Sequence, residues 1–262
     1  MNLNLIQKTA IVCGSTQGIG RATAVELALM GANVTLIARN KDTLQQTLSS
    51  LDTSKGQVHR CVVADFSESA SVKKAIDEYL EYFPDVHILI NNTGGPTGGP
   101  IIEASSEHFI KTFEMHLINN QTLVKAVLPS MQKANWGRIV NIISTSVKQP
   151  IMGLGVSNTI RWAVASWAKT LSLEIAKYGI TVNNVLPGFT KTGRLKVVNG
   201  MRAKALNKNI DDYERQLESE IPIGRFAEAE EVAAAVAFLC SPAASSINGI
   251  NLPVDGGKTG SM

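Results

Sequence analysis

Short runs of apolar and β-branched residues alternate along the whole chain with longer stretches of helical spacing. The short runs predict strands at 9–13, 33–38, 58–63, 86–90, 138–143, 180–186 and 250–254. The stretches between them predict helices at 18–30, 41–51, 68–82, 106–133, 157–178 and 228–240. The first six strands carry few polar breaks, which is typical of strands buried on both faces. This alternation favours right-handed crossovers, and therefore one α/β domain over residues 1–262. Its doubly wound parallel sheet should have about seven strands, with helices on both faces.

One long segment, at 190–226, departs from this alternation of strands and helices. It is polar and helix-prone, and it follows the carboxyl end of the sixth strand. In a doubly wound sheet such an insertion lies over the ligand crevice, so we expect a lid there. The first half of the lid is rich in lysine and arginine. This charge suits an anionic substrate, but a solvated helix face is the alternative that it favours.

Composition excludes several classes of protein. The chain has 262 residues, is 44% hydrophobic and has a formal net charge of +3, which is too mild to indicate a nucleic-acid or membrane partner. Cys13, Cys61 and Cys240 form no C-x-x-C pair, so buried reduced thiols, a cytoplasmic location and no metal site are expected. The N-terminus lacks the pattern of a signal peptide, and no apolar run is long enough to span a bilayer.

A glycine-rich turn, "CGSTQGIG", follows the first predicted strand and opens a helix. Gly14, Gly18 and Gly20 allow a tight turn in which backbone N–H groups and the helix N-terminus face an anion. Glycine spacing alone is also compatible with a connector that binds nothing. The strand–turn–helix context is what a dinucleotide-binding turn requires, so we expect the turn to hold the phosphates of a cofactor.

Further motifs follow in order along the chain, namely Asp65 after the third strand, "NNTG" (91–94), "LPGFTKT" (186–192) and "VDGG" (254–257). Together with "GSTQGIG" they resemble the short-chain dehydrogenase/reductase family over essentially the whole length, particularly its reductases of 3-oxoacyl groups. The resemblance implies a Rossmann-type fold, an NAD(P)-dependent oxidoreductase and the following cofactor-binding residues: Gly14, Ser15, Thr16, Gln17, Gly18, Ile19, Gly20, Arg39, Asp65, Phe66, Asn92, Thr93, Gly94, Arg161, Pro187, Gly188, Thr190 and Thr192.

Arg39 bears on which nicotinamide cofactor is used. An acidic residue about 20 positions after the glycines would hold a free ribose 2′-hydroxyl and repel a phosphate. The second strand ends in Ala38-Arg39-Asn40, without an acid. A guanidinium there can pair bidentately with a 2′-phosphate, which predicts NADP rather than NAD. A solvent-exposed arginine without a role is the alternative, and Gln17 is not the basic residue that NADP enzymes of this kind often carry.

The resemblance also implies a catalytic serine, tyrosine, lysine and asparagine, and the chain departs from three of these. Ser144 matches the serine at the end of the fifth strand. The tyrosine and lysine positions hold Ser157 and Arg161, and the asparagine position holds His116. Tyr79, Tyr82 and Tyr178 are predicted to lie away from the crevice. Only Tyr213, in the lid, is placed where it can approach the site, with a position on the lid surface as the alternative.

The residues at the tyrosine, lysine and asparagine positions can still perform part of the chemistry that the resemblance implies. Ser157 and Arg161 are one helical turn apart, so they share a helix face. Arg161 can hold the ribose hydroxyls, but it is a poor proton shuttle because it does not deprotonate in proteins. The Ser157 hydroxyl is far less acidic than a phenol. His116 would titrate near pH 6.5 and can supply a proton directly or through water; a packing role is the alternative.

Two functions therefore remain open for this chain. The first is a divergent reductase of a small carbonyl or an acyl thioester, in which Ser144, Ser157, Arg161 and His116 form the catalytic set. The second is a cofactor-binding sensor or assembly protein without catalysis. Trp162 lies off the apolar stripe of its predicted helix, which favours a homo-oligomer, either a dimer or a tetramer. The alternative is an aromatic ring tucked against its own lid.

Overall fold

A parallel sheet organises the computed structural model, which describes residues 1–261. Within these residues seven strands pair in the order β3-β2-β1-β4-β5-β6-β7. The strands are β1 (Thr9–Cys13), β2 (Asn33–Ala38), β3 (Arg60–Val63), β4 (Ile88–Asn91), β5 (Gly137–Ile142), β6 (Ile180–Pro187) and β7 (Asn251–Val254). This confirms the predicted doubly wound α/β fold. Because all neighbours are parallel, the carboxyl ends of the strands lie at one edge.

The apolar strand runs fold as expected in the middle of the sheet but not at its edge. β1, β4 and β5 are buried almost throughout, because each has a strand on both sides and helices on both faces. β3 was predicted to be equally buried, and this is wrong. It pairs only with β2, it begins two residues later than predicted, and its side chains are half-exposed up to the exposed Val63.

Helices cover both faces of the sheet. They are α1 (Gly18–Leu29), α2 (Lys41–Ser49), α3 (Ser69–Tyr82), α4 (Ser106–Phe113), α5 (Asn119–Lys133), α6 (Gly155–Ile175), α7 (Gly193–Ala205), α8 (Ile210–Ser219) and α9 (Ala229–Cys240). On one face α1 packs against α9, with Leu27 and Val236 in a shared core. On the other face Ile76, Val127 and Ile175 of α3, α5 and α6 form a second core.

The helix predicted over 106–133 contains an interruption that the sequence pattern did not indicate. Residues Glu114–Ile118 form a π-helical turn between α4 and α5. The extra residue in such a turn rotates the side chains that follow, and π-turns occur frequently at functional sites. Here the turn carries His116, which is buried.

The lid predicted at 190–226 consists mainly of α7 and α8. Its side chains form a small core of their own, which includes Tyr213, Leu217 and Phe226. Both positions considered for Tyr213 are therefore wrong. The ring neither approaches the crevice nor lies on the surface, because it is buried inside the lid.

Four asparagines cross the sheet in register, from the carboxyl end of β4 to the first residue of β7. Asn91 donates through Nδ2 to Oδ1 of Asn141, Asn141 donates to Asn184, and Asn184 donates to Asn251, each at 2.8 Å. These residues are also the Cα partners in the strand register. We call this row the asparagine ladder. It fixes the relative heights of β4, β5, β6 and β7 with side-chain bonds as well as backbone bonds.

Other expectations concern what the chain lacks. None of the helices within residues 1–261 is long and apolar enough to cross a membrane. All three cysteines are free. Cys13 and Cys240 are buried as predicted, whereas Cys61 is only partly buried because it lies on the edge strand β3. The same residues contain no group of histidine, cysteine and acidic side chains that could hold a metal ion.

Candidate active site

The glycine-rich turn lies at the point where the strand order reverses, between β1 and β4. Gly14 has a φ of +58°, and a Cβ there would lie 2.7 Å from the carbonyl oxygen of Asn92. A Cβ on Gly20 would lie 2.2 Å from the carbonyl oxygen of Gly14. No side chain fits at either position, so the turn is as tight as the sequence predicted. Ligands of doubly wound sheets bind in the crevice at this reversal.

The beginning of α1 is open to an anion. Its N-cap residue, Gln17, makes no side-chain hydrogen bond to the helix, and the first turn contains no acidic residue. The N–H groups of the first turn therefore have no side-chain acceptor, and they carry the positive end of the helix dipole. Asn92 holds the turn in place, because its Nδ2 donates to the carbonyl oxygens of Cys13 and Gly14, each at 3.2 Å.

The opposite wall of the crevice comes from the segment after β6. A Cβ added to Gly18 would lie 3.0 Å from Cγ2 of Thr192, so this segment closes on the glycine-rich turn. The Thr192 hydroxyl accepts from Leu195 N–H at 3.2 Å and caps α7. Thr190 lies nearby and donates to the carbonyl oxygen of Gly188. The predicted cofactor residues Pro187, Gly188, Thr190 and Thr192 are thus brought to the mouth of the glycine-rich turn.

Arg39 and Asp65 meet at the carboxyl ends of β2 and β3. Arg39 is exposed, and Asn40 caps α2 by accepting from Thr43 N–H at 3.0 Å. The Asp65 carboxylate accepts from the N–H and hydroxyl of Ser67, which lowers its pKa; the charge of Arg39 contributes less to the same shift. The guanidinium therefore stands free at the rim of the crevice, where a 2′-phosphate would be read.

Ser144 and Ser157 come from neighbouring elements at the carboxyl edge of the sheet. Ser144 lies two residues after the end of β5, is half-buried, and accepts from the N–H of Ser146 at 3.1 Å. Ser157 is half-buried in the first turn of α6. The helix packs against the short turn 145–147 that Ser144 caps. The two serines therefore lie on elements that pack against each other, and their place in one catalytic site stays a prediction.

Arg161, one turn after Ser157, is a buried cation. It is 7% exposed, and its Nη1 donates to the carbonyl oxygen of Ile142 at 3.1 Å. Its Nε is buried and has no hydrogen-bond partner within residues 1–261. Burial lowers the pKa of the guanidinium to about 10, so it remains protonated at neutral pH. An unpaired buried donor is costly, and it fits a site completed by an acceptor from a ligand.

His116 differs from the expectation drawn from its sequence position. The ring is 3% exposed, and its Nδ1 lies 2.7 Å from Oγ1 of Thr93. Its Nε2 is buried without a partner in the described chain. Burial, followed by the charge of Arg161, holds the pKa well below its usual range. The prediction that His116 titrates near pH 6.5 is therefore wrong for the folded protein, and the ring is neutral there.

The lid is tied to both loops at the mouth of the crevice. Arg194 donates to the carbonyl oxygen of Pro96 at 2.6 Å, and Arg202 donates to that of Met152 at 3.3 Å. The two loops are joined by the backbone bond from Gly99 N–H to the carbonyl oxygen of Gly153 at 2.8 Å. Between the first loop, α4 and α6 lies a cavity of about 190 Å³. Val156, next to Ser157, contributes to its lining.

The sequence did not indicate three groups of contacts at this edge of the sheet. The Thr93–His116 pair, the Arg194 and Arg202 bonds, and the asparagine ladder all join residues far apart in the chain. The only available signal was indirect: Thr93 stands in "NNTG" where the motif of the resembled family has alanine, and His116 stands at the asparagine position. Nothing local to either residue indicates that the two substitutions are in contact.

Comparisons with known proteins agree with this geometry. Residues 14–259 match the family model described as enoyl-(acyl carrier protein) reductase. The chain is 33% identical to the 3-oxoacyl-[acyl-carrier-protein] reductase FabG of Haemophilus influenzae, over 95% of this chain and 97% of that protein. Its structure resembles L-sorbose reductase from Gluconobacter frateurii in complex with NADPH and L-sorbose, with a TM-score of 0.93, 29% identity and full coverage of both chains. It also resembles actinorhodin polyketide ketoreductase with NADPH, with a TM-score of 0.89, 30% identity and 97% coverage of both chains.

The lowered pKa of His116 predicts a pH dependence of stability. In the unfolded chain the ring protonates near pH 6.5, whereas the folded protein resists that proton. Stability is therefore lost as the pH falls below about 6.5, by at most about 1.4 kcal/mol per pH unit for one proton. In urea titrations from about pH 7.5 to pH 5, His116→Asn should show a smaller loss than the unaltered protein.

His87 provides the comparison for this measurement. Burial also lowers the pKa of His87, but its ring is only half-buried, so His87→Gln should change the slope less. Only the pH dependence is compared, since either substitution can shift stability at every pH. Parallel curves for the unaltered protein and His116→Asn would contradict the assignment of a buried neutral ring.

Proposed function

Because the chain belongs to the short-chain dehydrogenase/reductase family, we propose that it transfers a hydride between NADP(H) and a carbonyl or alcohol substrate. The observation that carries this proposal is the buried, incompletely bonded guanidinium of Arg161. It lies on the same edge of the sheet as the glycine-rich turn and Ser144. A fold that had lost its ligand would have little reason to retain a buried cation with an unused donor.

NADP rather than NAD is the cofactor that these residues fit. The glycine-rich turn and the open N-terminus of α1 suit the pyrophosphate, and Arg39 suits a 2′-phosphate. Asp65 and Phe66 lie at the adenine end, and Asn92, Thr93 and Gly94 follow β4 toward the nicotinamide end. The NADPH held by the sorbose reductase and by the polyketide ketoreductase supports this assignment.

The protein's side chains bind the carbonyl oxygen and the ribose of the cofactor. When bound, the nicotinamide supplies the hydride that reaches the carbonyl carbon. Ser144 and Ser157 donate hydrogen bonds to the carbonyl oxygen, and each well-placed donor stabilises the transition state by about 2–4 kcal/mol. Arg161 stays protonated and holds the ribose hydroxyls on the nicotinamide side. Two hydroxyls in place of a phenol should give slow rather than absent turnover.

The proton that completes the alcohol cannot come from an imidazolium at neutral pH. His116 is neutral and buried, so it acts as a relay, accepting a proton at one ring nitrogen while it gives one up at the other. The rate should therefore not follow a titration near pH 6.5, in contrast to the behaviour of a histidine that acts as an exposed acid.

The substrate is a small carbonyl compound or a 3-oxoacyl thioester, since the relatives named above act on both kinds. The cavity beside Val156 and the arginine-bound lid lie where the part of the substrate beyond the carbonyl would extend. A protein that binds NADP without catalysis was the other function considered, and the names of these relatives, all reductases, give it no support.

A homo-oligomer is part of this proposal. Trp162 and Leu173 are 51% and 70% exposed, and eleven residues apart they lie on one face of α6. Ile110, Phe113 and Ile118 expose apolar surface on α4 and the π-turn, and α4 packs beside α6. Trp162 is not tucked against the lid, because its Nε1 donates to the carbonyl oxygen of Ser146 at 3.0 Å. The two helices together provide one apolar face that a second copy can cover.

Cofactor preference can be tested by exchanging charge at Arg39. In calorimetry the unaltered protein should bind NADPH about 10- to 100-fold more tightly than NADH, because a charged hydrogen bond contributes about 1.5–3 kcal/mol. Arg39→Asp should reverse the order. Lys41→Asp makes the same change of charge two residues away and should leave NADPH preferred. Tighter binding of NADH to the unaltered protein would refute the assignment.

The role of Ser144 can be tested with any carbonyl compound that is turned over. Ser144→Ala should lower kcat by about 10²- to 10³-fold while NADPH still binds, because an oxyanion donor is lost. Ser146→Ala is the matched control, since its buried hydroxyl has no partner within residues 1–261. Ser157→Tyr combined with Arg161→Lys should raise the rate. A loss of kcat of less than twofold in Ser144→Ala would exclude Ser144 from catalysis. If the unaltered protein binds NADPH but turns over no carbonyl compound, the non-catalytic function is favoured.

Assembly can be tested by light scattering at micromolar concentration. We expect a dimer or tetramer of the 28.1 kDa chain. Leu173→Glu should shift the protein toward the monomer, because it buries a charge in the proposed interface. Leu29→Glu changes another exposed leucine, on α1, and should leave the assembly intact. A monomeric mass for the unaltered protein would overturn the proposal.

A further inference from the structure

The hydrogen bond between Thr93 and His116 joins the end of β4 to the π-turn. Oγ1 of Thr93 lies 2.7 Å from Nδ1 of His116. A neutral imidazole carries its proton on one nitrogen and a lone pair on the other, so the bond made at Nδ1 determines what Nε2 offers. A hydroxyl can donate or accept, so the distance alone leaves two arrangements. Either the Thr93 hydroxyl donates to Nδ1, or Nδ1–H donates to the Thr93 hydroxyl.

The surroundings of Nε2 distinguish between these arrangements. Nε2 is buried and has no partner within residues 1–261. A buried N–H without an acceptor is rarer in proteins than a buried acceptor without a donor. If Thr93 donated to Nδ1, the proton would lie on Nε2 as an unpaired buried N–H. If His116 donates to Thr93, Nε2 carries only a lone pair.

The charge near the ring keeps the ring neutral, so that only one of its two nitrogens carries a proton. Arg161, from α6, is the charged group of residues 1–261 that acts on His116; α3, α4, α5 and the loop after β4 contribute none. Its guanidinium is a donor only, and its own Nε has no partner. This cation opposes a second proton on the ring, whichever nitrogen carries the first. The pKa of the ring, well below its usual range, agrees with a neutral imidazole beside a positive charge.

We propose that Thr93 is a positioning residue that fixes His116 with its proton on Nδ1, leaving the Nε2 lone pair as a buried acceptor at the reaction centre. Thr93 thereby determines which ring nitrogen is the proton acceptor. In alcohol oxidation, Nε2 accepts the proton of the alcohol hydroxyl directly or through a water, Nδ1–H passes its own proton to Oγ1 of Thr93, and the Thr93 hydroxyl releases its proton to water; carbonyl reduction runs the same steps in reverse. This catalytic consequence rests on the proposed function, whereas the position of the ring proton does not.

Solid-state ¹⁵N NMR of histidine-labelled protein tests the proton position directly and does not depend on the size of the assembly. His116→Asn identifies the ring among the four histidines of the chain. In the unaltered protein at neutral pH, His116 should be protonated at Nδ1 and bare at Nε2. Thr93→Val, which keeps the shape and removes the hydroxyl, should place the proton wholly or partly on Nε2. Thr93→Ser should restore the original state.

Thr112→Val is the matched control, because the Thr112 hydroxyl is bonded to the carbonyl oxygen of His108 rather than to His116. It should leave the His116 resonances unchanged. A proton on Nε2 in the unaltered protein, or an unchanged tautomer in Thr93→Val, would overturn the proposal. Both results are independent of whether any substrate is turned over.

A kinetic measurement separates positioning from mere packing. With a substrate that turns over, Thr93→Val should lower kcat about 10-fold or more with little change in KM for NADPH, and Thr93→Ser should recover most of the rate. If the tautomer changes while kcat stays within twofold, His116 is not part of the proton path. The assignment of its tautomer would stand, and the proposed role of Thr93 in catalysis would be refuted.

Discussion

The asparagine ladder is the interaction on which the geometry of the site depends. Asn91, Asn141 and Asn184 lie at or near the carboxyl ends of three neighbouring strands, and the side-chain bonds between them fix the relative heights of those strands. The loops that carry Thr93, Ser144 and Gly188 begin within four residues of the ladder. A buried amide is tolerated only when it is hydrogen-bonded, and each member satisfies the next. The row ends at an unpaired acceptor, Oδ1 of Asn91, rather than at an unpaired donor.

Arg161 sets the electrostatics within this frame. Its charge is buried and is met directly by one carbonyl oxygen, which makes the site sensitive to every neighbouring dipole. The same charge helps to keep His116 neutral. His116 and Thr93 are linked to this charge, because a ring that is kept neutral has one proton to place and the Thr93 hydroxyl is its partner at Nδ1.

The sequence was sufficient for features that depend on local pattern. Strand and helix positions follow from apolar periodicity, and the glycine-rich turn follows from positions where a Cβ would clash. Burial of β3 was overestimated because a run of apolar residues does not reveal which strand has a neighbour on one side only. The π-turn was missed because it is a single five-residue turn within a long helical stretch, and no residue type in it marks the change of hydrogen-bond spacing. The state of His116 and the location of Tyr213 depend on contacts with distant residues, which no local pattern contains.

The connection of the lid has a kinetic consequence. Arg194 and Arg202 bind carbonyl oxygens on two loops, and those loops are bonded to each other through Gly99 and Gly153. Lifting either end of α7 alone leaves the other end held, so both arginine bonds must break before α7 can move away from the two loops, whereas the bond between the loops can stay in place. For the proposed lid, the lifetime of this closed state would set an upper limit on the number of molecules exchanged per second, however fast the chemistry inside.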